Sequence, residues 1–382
     1  MNRQLNLINF IRNTFESPND FIPLHEPRFM GNEKKYVMDA IDSTFVSSVG
    51  EYVNRFEAMM CELTGAKYAI ATSNGTSALH MCLLLAGVKD GDEVITQSLS
   101  FVATSNAISY CRAAPIFLDV DKETLGLSIS SLRDFLENHT NQVGGKCVNR
   151  ATKKVIRAVV PMHTFGHPVK IDEMVELCNQ HQLEVVEDAA ESIGSYYKGK
   201  HTGTFGQSAA FSFNGNKTLT SGGGGAIVTN DKHLAQKAKH WTTTAKIPHA
   251  WEYTHDAIGY NYRMPNLNAA LACAQLEQLP SFLGKKRVLA NEYIDFGKEN
   301  GLNFVEEPLN ATSNYWLNAL CLGSRKERDE TLAYLNEAGV MCRPIWTLLH
   351  KMPMYADCYV DDQVRAQWLE DRIVNVPSSV RI

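Results

Sequence analysis

The chain has 382 residues, of which 44% are hydrophobic and 21% are charged, and its formal net charge is −5. This length and composition predict a globular protein with a core large enough for two or more domains, and the dispersed lysines and arginines argue against a basic nucleic-acid-binding face. No apolar stretch is long enough to span a bilayer and the start, MNRQLNLINFIRNTF, lacks the features of a signal peptide, so we expect a cytoplasmic protein with neither nucleic acid nor membrane as a partner.

From residue 68 to residue 229, short apolar runs alternate with helical patterns. The predicted strands are YAIATS, DEVITQS, APIFLDVD, VIRAVVPMH, LEVVEDAA, SAAFSFN and GAIVTN, and the predicted helices are TSALHMCLLLAG, FVATSNAISYC, SSLRDFLENH and KIDEMVELCNQHQ. This alternation predicts a largely parallel sheet that is buried on both faces. Ligands of such sheets bind beyond the carboxyl ends of the strands, where the loops TSNGTS, SLSF, MHTFGH, EDAAES and FNGNK would lie.

After Asn268 the pattern changes to that of a smaller α/β domain. A long helical pattern is interrupted near Pro280, and NYWLNALCLG, RKERDETLAYLNEAG and VMCRPIW then predict strand, helix and strand. The cluster of basic residues near Lys146–Lys154 is interpreted as a polar loop. We therefore expect an N-terminal segment at 1–30, a large domain at 31–265 and a small domain at 266–382.

Three loop ends carry groups suited to charged ligands. In SNGTSAL, Gly75 and Thr76 precede a helix whose first N–H groups attract anions, although an ordinary helix cap explains the motif as well. In VVEDAAES, Asp188 and Glu191 end a strand, where carboxylates bind metals, transfer protons or face a cationic ring nitrogen; a helix-start acid is the structural alternative. In FSFNGNK, Lys217 is either a solvated loop residue or a reactive amine.

Together these three groups fit pyridoxal phosphate. Its phosphate needs a rigid anchor, its ring nitrogen a carboxylate and its aldehyde an amine, and Phe101 in SLSF offers an aromatic face for the ring. A metal site is disfavoured because no histidine or second acidic cluster has metal-ligand spacing. A nicotinamide-dependent dehydrogenase is disfavoured because the glycine motif is not GxGxxG.

Long stretches of the chain resemble the sugar-nucleotide aminotransferases of the DegT/DnrJ/StrS family. The similarity runs from about residue 21 nearly to the end and includes NGTSALH, SFVATSNAI, FLDVD, PMHTFGHPVKIDEM, VVEDAAESIGSYYKGKHTGTFG, FSFNGNKTLTSGGGGAIVT, GYNYRMPNLNAAL and RPIW. The resemblance implies the pyridoxal-phosphate-dependent transferase fold of type I, as in aspartate aminotransferase: a mostly parallel central sheet flanked by helices, plus a smaller C-terminal α/β domain. FIPLHEP, STFVSSVGEYVNRFE and TTTAKIPHAWEYTHDAIGYNYRMPN are most similar to the legionaminic acid branch, with bacillosamine-type enzymes close by.

The resemblance also implies an activity. A member of that branch uses glutamate to convert a UDP- or GDP-linked 4-keto-6-deoxy-2-acetamido sugar to the 4-amino sugar, for a bacterial surface glycan such as lipopolysaccharide. Two alternatives share the fold: a sugar dehydratase, in which histidine replaces the reactive lysine, and a non-catalytic regulatory relative. Because Lys217 is present, the dehydratase is the less favoured alternative.

Residue roles follow from the same resemblance. Lys217 would bind the cofactor covalently and carry protons, Asp188 would pair with the ring nitrogen, and Phe101 would stack on the ring. Glu191 would lie near the phenolic oxygen. The phosphate contacts would come from Gly75, Thr76 and Ser212.

Further contacts are implied at the edge of the site. Asn261 would reach the cofactor phosphate of a neighbouring subunit, which implies a homodimer with shared sites. The candidate substrate contacts are His163, Lys246, Arg343 and Trp346. Arg343 suits a carboxylate or a diphosphate, but a structural salt bridge is as good an explanation. Lys246 is the alternative reactive amine, although it lies outside the strand-end context.

Overall fold

The structure is a computed structural model that describes residues 3–382. Its helices are α1 (Arg3–Thr14), α2 (Glu33–Asp42), α3 (Glu51–Thr64), α4 (Gly75–Leu85), α5 (Ala103–Tyr110), α6 (Ile129–His139), α7 (Ile171–Gln180), α8 (Lys232–Thr242), α9 (Asn266–Asn300), α10 (Arg325–Glu337) and α11 (Val364–Glu370). Its strands are β1 (Tyr68–Thr72), β2 (Glu93–Gln97), β3 (Ala114–Leu118), β4 (Thr140–Val143), β5 (Lys146–Asn149), β6 (Ile156–Val160), β7 (Glu184–Asp188), β8 (Tyr196–Tyr197), β9 (Lys200–His201), β10 (Ser208–Ser212), β11 (Gly225–Thr229), β12 (Asn303–Phe304), β13 (Ala311–Thr312), β14 (Asn318–Cys321), β15 (Arg343–Pro344) and β16 (Ile373–Val376). Within the described residues, no helix combines the length and apolar character needed to cross a membrane.

A seven-stranded sheet forms the centre of the large domain, in the order β1-β11-β10-β7-β6-β2-β3. Strand β11 runs antiparallel to both of its neighbours, and the other pairs in the sheet are parallel. Helices α4, α5 and α8 cover one face, and α3, α6, α7 and the first half of α9 cover the other. The predicted fold class, a mostly parallel sheet between helices, is confirmed.

The strand register brings the ends of three strands together. Thr72 at the end of β1 and Ser212 at the end of β10 both pair with Gly225, the first residue of β11. On the other side of β10, Asp188 at the end of β7 pairs with Ala210. The loops that follow β1, β7 and β10 therefore lie at one edge of the sheet, as parallel strands require.

Helix α9 is 35 residues long and continues through Pro280, where the sequence predicts an interruption. A proline inside a helix removes one hydrogen bond and costs about 3 kcal/mol. Packing on both sides of the proline offsets that cost: Leu276 and Phe282 lie in the core shared with the large domain, and Leu289 and Tyr293 lie in the core of the small domain. Tertiary burial thus overrides the local helix-breaking signal.

The small domain is built on the four-stranded sheet β12-β14-β16-β15, which is antiparallel throughout. Its core also takes side chains from the N-terminal helix, such as Leu7 and Ile11, which pack with Tyr293, Leu335 and Val374. The predicted strand, helix and strand correspond to β14, α10 and β15. The predicted N-terminal segment contributes to this core, and the predicted domain boundaries stay a prediction.

The basic cluster near Lys146–Lys154, predicted as a polar loop, contains strand β5 instead. Strands β4 and β5 form a hairpin whose turn residues, Gly144 and Gly145, both have positive φ values, of 56° and 72°. Consecutive positive φ angles suit the two-residue turns that favour hairpins, and glycine adopts them without strain. The Gly144–Gly145 pair is a sequence signal for a hairpin turn. The two strands beside it are polar, so they lack the apolar pattern by which strands are recognised.

Candidate active site

A cavity of about 280 Å³ opens at the carboxyl edge of the large sheet. Side chains from the loops after β1, β2, β7 and β10 line it, together with two tryptophans from the small domain. The cavity brings together eight of the residues singled out in the sequence: Gly75, Thr76, Phe101, Asp188, Glu191, Ser212, Lys217 and Trp346.

One wall of the cavity is the start of helix α4. Asn74 caps this helix, since its side-chain oxygen accepts a hydrogen bond from the Ser77 amide at 2.8 Å. A Cβ atom on Gly75 would lie 2.7 Å from Cβ of Ser212, so only glycine lets the helix start approach that strand so closely. The first amides of a helix have no intrahelical acceptor, and here they lie beside the Ser212 hydroxyl. This wall is suited to a phosphate group.

Asp188 forms the floor of the cavity. It is 5% exposed, and its Oδ2 accepts a hydrogen bond from Oγ1 of Thr104 at 2.8 Å, while its Oδ1 accepts one from the Ala190 amide at 3.2 Å. Burial raises the pKa of Asp188, and the two hydrogen bonds oppose that rise. A cationic group in the cavity would favour the carboxylate further. Phe101, half exposed, borders the same space.

Lys217, which is partly buried, and Glu191, which is buried, form an ion pair in the cavity. Lys217 Nζ lies 3.0 Å from Oε1 of Glu191, whose Oε2 accepts a hydrogen bond from the Phe165 amide at 2.9 Å. Burial raises the pKa of Glu191 to about 6, and the Lys217 ammonium opposes this rise. The lysine follows β10 on a short turn in which its own amide donates to the Asn214 carbonyl at 3.0 Å.

The small domain supplies an aromatic wall that the sequence did not predict in full. The centroid of the Trp316 ring lies 4.0 Å from Lys217 Nζ, and its indole Nε1 donates to the Asn216 carbonyl at 2.7 Å. Trp346, a predicted contact, lies 6.5 Å from the ring of Phe101 and 5.0 Å from that of Phe165. The sequence offers no local signal for Trp316, because its contact with the cavity is made across the domain boundary.

Four predicted contacts lie outside the cavity lining. His163 is fully buried; its Nε2 bonds Glu187 at 3.1 Å, and its Nδ1 accepts from a backbone amide. These bonds satisfy both ring nitrogens, so His163 supports the strand end rather than facing the cavity. The other three are also absent from the lining: Lys246 lies over the Tyr253 ring, Arg343 is exposed on β15, and Asn261 is exposed and bonded to Arg263. Because Asn261 is predicted to act on a partner subunit, its role stays a prediction.

Residues 28–382 match the DegT/DnrJ/EryC1/StrS aminotransferase family. The chain belongs to this family. It is 40% identical over 361 residues to the GDP-perosamine synthase of Escherichia coli O157:H7, covering 94% of this chain and 93% of that protein. It is 36% identical over 346 residues to the GDP-perosamine synthase of Caulobacter vibrioides, covering 89% and 88%. The fold is similar to that of the aminotransferase TlmJ from Streptoalloteichus hindustanus, with a TM-score of 0.83, 26% identity and coverage of 94% and 93%.

The family membership confirms the prediction of a pyridoxal-phosphate-dependent aminotransferase. The residues of the cavity fit this cofactor by their own chemistry. The helix start at Gly75, which packs closely against Ser212, offers backbone amides to a phosphate. Asp188 offers a buried carboxylate, and Lys217 offers an amine.

Proposed function

We propose that the protein transfers an amino group from glutamate to C4 of a nucleotide-linked 4-keto-6-deoxy sugar. The observation that carries this proposal is the convergence, in one cavity, of the α4 helix start, the Asp188 carboxylate and the Lys217 amine. Pyridoxal phosphate, when bound, supplies an aldehyde that accepts the amino group and a ring that withdraws electrons from the reacting carbon.

The chain's own residues would divide the remaining work. Lys217 would hold the cofactor covalently through Nζ and, when that nitrogen is free, would accept and return a proton at it. Asp188 would hold a protonated ring nitrogen, since Thr104 donates a hydrogen bond to its buried carboxylate and so favours the charged form. Glu191 lies 3.0 Å from Lys217 Nζ and takes up or returns a proton beside it. Phe101 and the helix start at Gly75 would hold the ring and the phosphate.

The sugar would enter from the side of the aromatic wall. Trp316 and Trp346 offer apolar faces, which suit a 6-deoxy edge, and Asn214 and Asn216 offer polar groups at the cavity mouth. The similarity to two GDP-perosamine synthases supports a GDP-linked hexose as substrate. The branch similarity in the sequence supports instead a 2-acetamido sugar of the legionaminic acid or bacillosamine type. Both would serve synthesis of a bacterial surface glycan.

A substrate panel distinguishes these two sugars. The purified enzyme is incubated with glutamate and GDP- or UDP-linked 4-keto-6-deoxy sugars, each with a 2-hydroxyl or a 2-acetamido group, and products are identified by mass spectrometry. We expect 2-oxoglutarate to form in step with one 4-amino sugar. A dehydrated sugar without 2-oxoglutarate would support the dehydratase alternative, and no reaction with any of them would support the regulatory one.

The covalent role of Lys217 has a direct test. The protein is incubated with pyridoxal phosphate, reduced with borohydride and digested, and the labelled peptide is sequenced. We expect the label on Lys217, because its Nζ lies in the cavity beside Glu191. A label on Lys246 or on any other lysine would contradict the proposed function.

We propose further that two copies of the chain associate and share their active sites. Exposed apolar side chains cluster on α2 and on the turn that follows it: Met38, Ile41, Phe45, Val46 and Val49. Such a cluster is typical of a protein interface, and the role predicted for Asn261 requires a second copy of the chain. Phe45→Asp should shift the mass measured by light scattering from dimer to monomer. Leu309→Asp, which changes an exposed leucine elsewhere, should not. A monomeric native protein would refute this proposal.

A further inference from the structure

A buried lysine lies behind the aromatic wall of the active site. Lys286, on α9, is 1% exposed, and its Nζ donates to the carbonyl oxygens of Ser378 at 2.7 Å and Trp316 at 3.2 Å. Nε2 of His25 lies 3.2 Å from the same nitrogen. Among residues 3–382 it forms no ion pair with a carboxylate. Lysine is almost never fully buried without such a partner, so this position calls for a physical role.

The three groups that bond to the Lys286 nitrogen come from three distant parts of the chain. His25 belongs to the N-terminal segment, Trp316 to the approach to β14, and Ser378 to the segment after β16. A neutral lysine amine has two N–H donors and one lone pair, which match the two carbonyl oxygens and an N–H tautomer at His25 Nε2. Lys286 therefore joins the two ends of the chain to the tryptophan that faces the active site.

Trp316 is fixed on both sides of its contact with Lys217. Its carbonyl accepts from Lys286, its own amide donates to Oδ1 of Asn314 at 2.8 Å, and its indole Nε1 donates to the Asn216 carbonyl at 2.7 Å. The ring so held has its centroid 4.0 Å from Lys217 Nζ. The indole that lies against the Lys217 amine is thus anchored from behind.

We propose that Lys286 is a positioning residue for the reaction: through Trp316 it holds the indole face against the amine of Lys217. Without Lys286, the Trp316 carbonyl would be buried without a donor, and the segment would move to find one. The indole would then leave the Lys217 amine, whose side chain would sample more rotamers. This inference rests on the proposed covalent role of Lys217, and its test does not involve the sugar substrate.

The test measures how fast the apoprotein captures pyridoxal phosphate covalently, from the rise of visible absorbance after mixing. Lys286→Met removes the hydrogen bonds of the lysine nitrogen and keeps an unbranched side chain of similar length. The matched control is Tyr293→Phe on the same helix, which removes a buried hydrogen bond of 2.9 Å to the Pro377 carbonyl but touches neither tryptophan nor lysine of the site. We expect capture to slow about fivefold or more in Lys286→Met and to change less than twofold in Tyr293→Phe.

A double-mutant cycle shows whether the effect passes through the indole. In a Trp316→Leu background, Lys286→Met should slow capture less than twofold, because the element it positions is already absent. Equal slowing in both backgrounds, or equal slowing in Lys286→Met and Tyr293→Phe, would overturn the proposal. If Lys286→Met does not fold, Lys286→Gln, which keeps two N–H donors on a shorter chain, replaces it in the same comparisons.

Peptide mapping after borohydride reduction distinguishes failure of the positioning role from failure of the proposed function. A label on Lys217 in the wild type with undiminished capture in Lys286→Met refutes the positioning role and leaves the proposed function intact. A label on another lysine in the wild type refutes the proposed function itself.

Discussion

Replacing Lys286 by methionine should change how the stability of the protein depends on pH. Burial lowers the pKa of Lys286 to about 7 in the folded protein, whereas a lysine in an unfolded chain has a pKa of about 10.4. Between these two values the unfolded state binds a proton that the folded state lacks. Stability therefore rises with pH across this window and is lost as pH falls towards 7. Methionine has no such proton, so the variant lacks this contribution.

The size of the effect follows from the two pKa values. Each pH unit within the window contributes ~1.4 kcal/mol, and half-protonation at pH 7 reduces the first unit, so the wild type should gain about 2 kcal/mol over the variant between pH 7 and pH 9. The neighbouring His25 adds no slope there, because burial, Lys286 and Lys217 hold its pKa well below the usual value. The assay is urea unfolding of the apoprotein, followed by tryptophan fluorescence at pH 7, 8 and 9 and at equal concentrations.

Tyr293→Phe is the control for this measurement as well. It also removes a buried hydrogen bond from α9, but burial raises the pKa of Tyr293 well above its usual value, so no proton is exchanged between pH 7 and pH 9. Its stability relative to the wild type should be the same at all three pH values. A flat difference for Lys286→Met would refute the reasoning, since it would mean that the groups around Lys286 keep its ammonium charged in the folded protein.

Three further predictions concern the cavity. Lys217→Ala should lower turnover about 1,000-fold or more and abolish the borohydride label, while equilibrium dialysis still detects bound pyridoxal phosphate through its phosphate and ring contacts. Asp188→Asn should lower turnover about 100-fold or more at unchanged cofactor content, because the carboxylate partner of the ring nitrogen is lost; steady-state rates near those of the wild type would contradict this role. Gly75→Ala should weaken cofactor binding roughly tenfold, because its Cβ would lie 2.7 Å from Cβ of Ser212; Gly284→Ala, with open space at that Cβ, should leave binding unchanged in the same titration.

The elements that local pattern predicts are those of the central sheet. The runs YAIAT and EVITQ, predicted as strands, form β1 and β2. Such strands are recognised from sequence because helices cover both of their faces, so that the run does not alternate between apolar and polar residues. The orientation of β11 could not be predicted this way. It lies between β1 and β10 and runs antiparallel to both, and its sequence is as apolar as those of its parallel neighbours. The periodicity of apolar residues indicates which residues are buried. It does not indicate the direction of a strand, which depends on the path of the loop that connects it to the preceding strand.

The part of the site that could be predicted consists of the reactive and charged residues that follow the ends of strands. Parallel strands bring their carboxyl ends to one edge whatever the loops do, so Gly75, Asp188 and Lys217 had to lie near one another once the strands were placed. The rim was not predictable in this way. His163 also follows a strand, yet it points into the protein and pairs with Glu187, because side chains at successive positions of a strand end point to opposite sides.

The contribution of the small domain was hidden for a further reason. Trp316 meets Asn216, which is 100 positions earlier in the chain, so no local window contains both partners. Lys286 stands in the run GKKRV of a helix, where a lysine is expected to be solvated. Only the packing of α9 against the Trp316 and Ser378 segments turns that residue inward. If Lys286 acts as proposed, the position of the Lys217 amine depends on a residue whose sequence context indicates the surface. The residues that line the cavity are then only part of the set that the reaction requires.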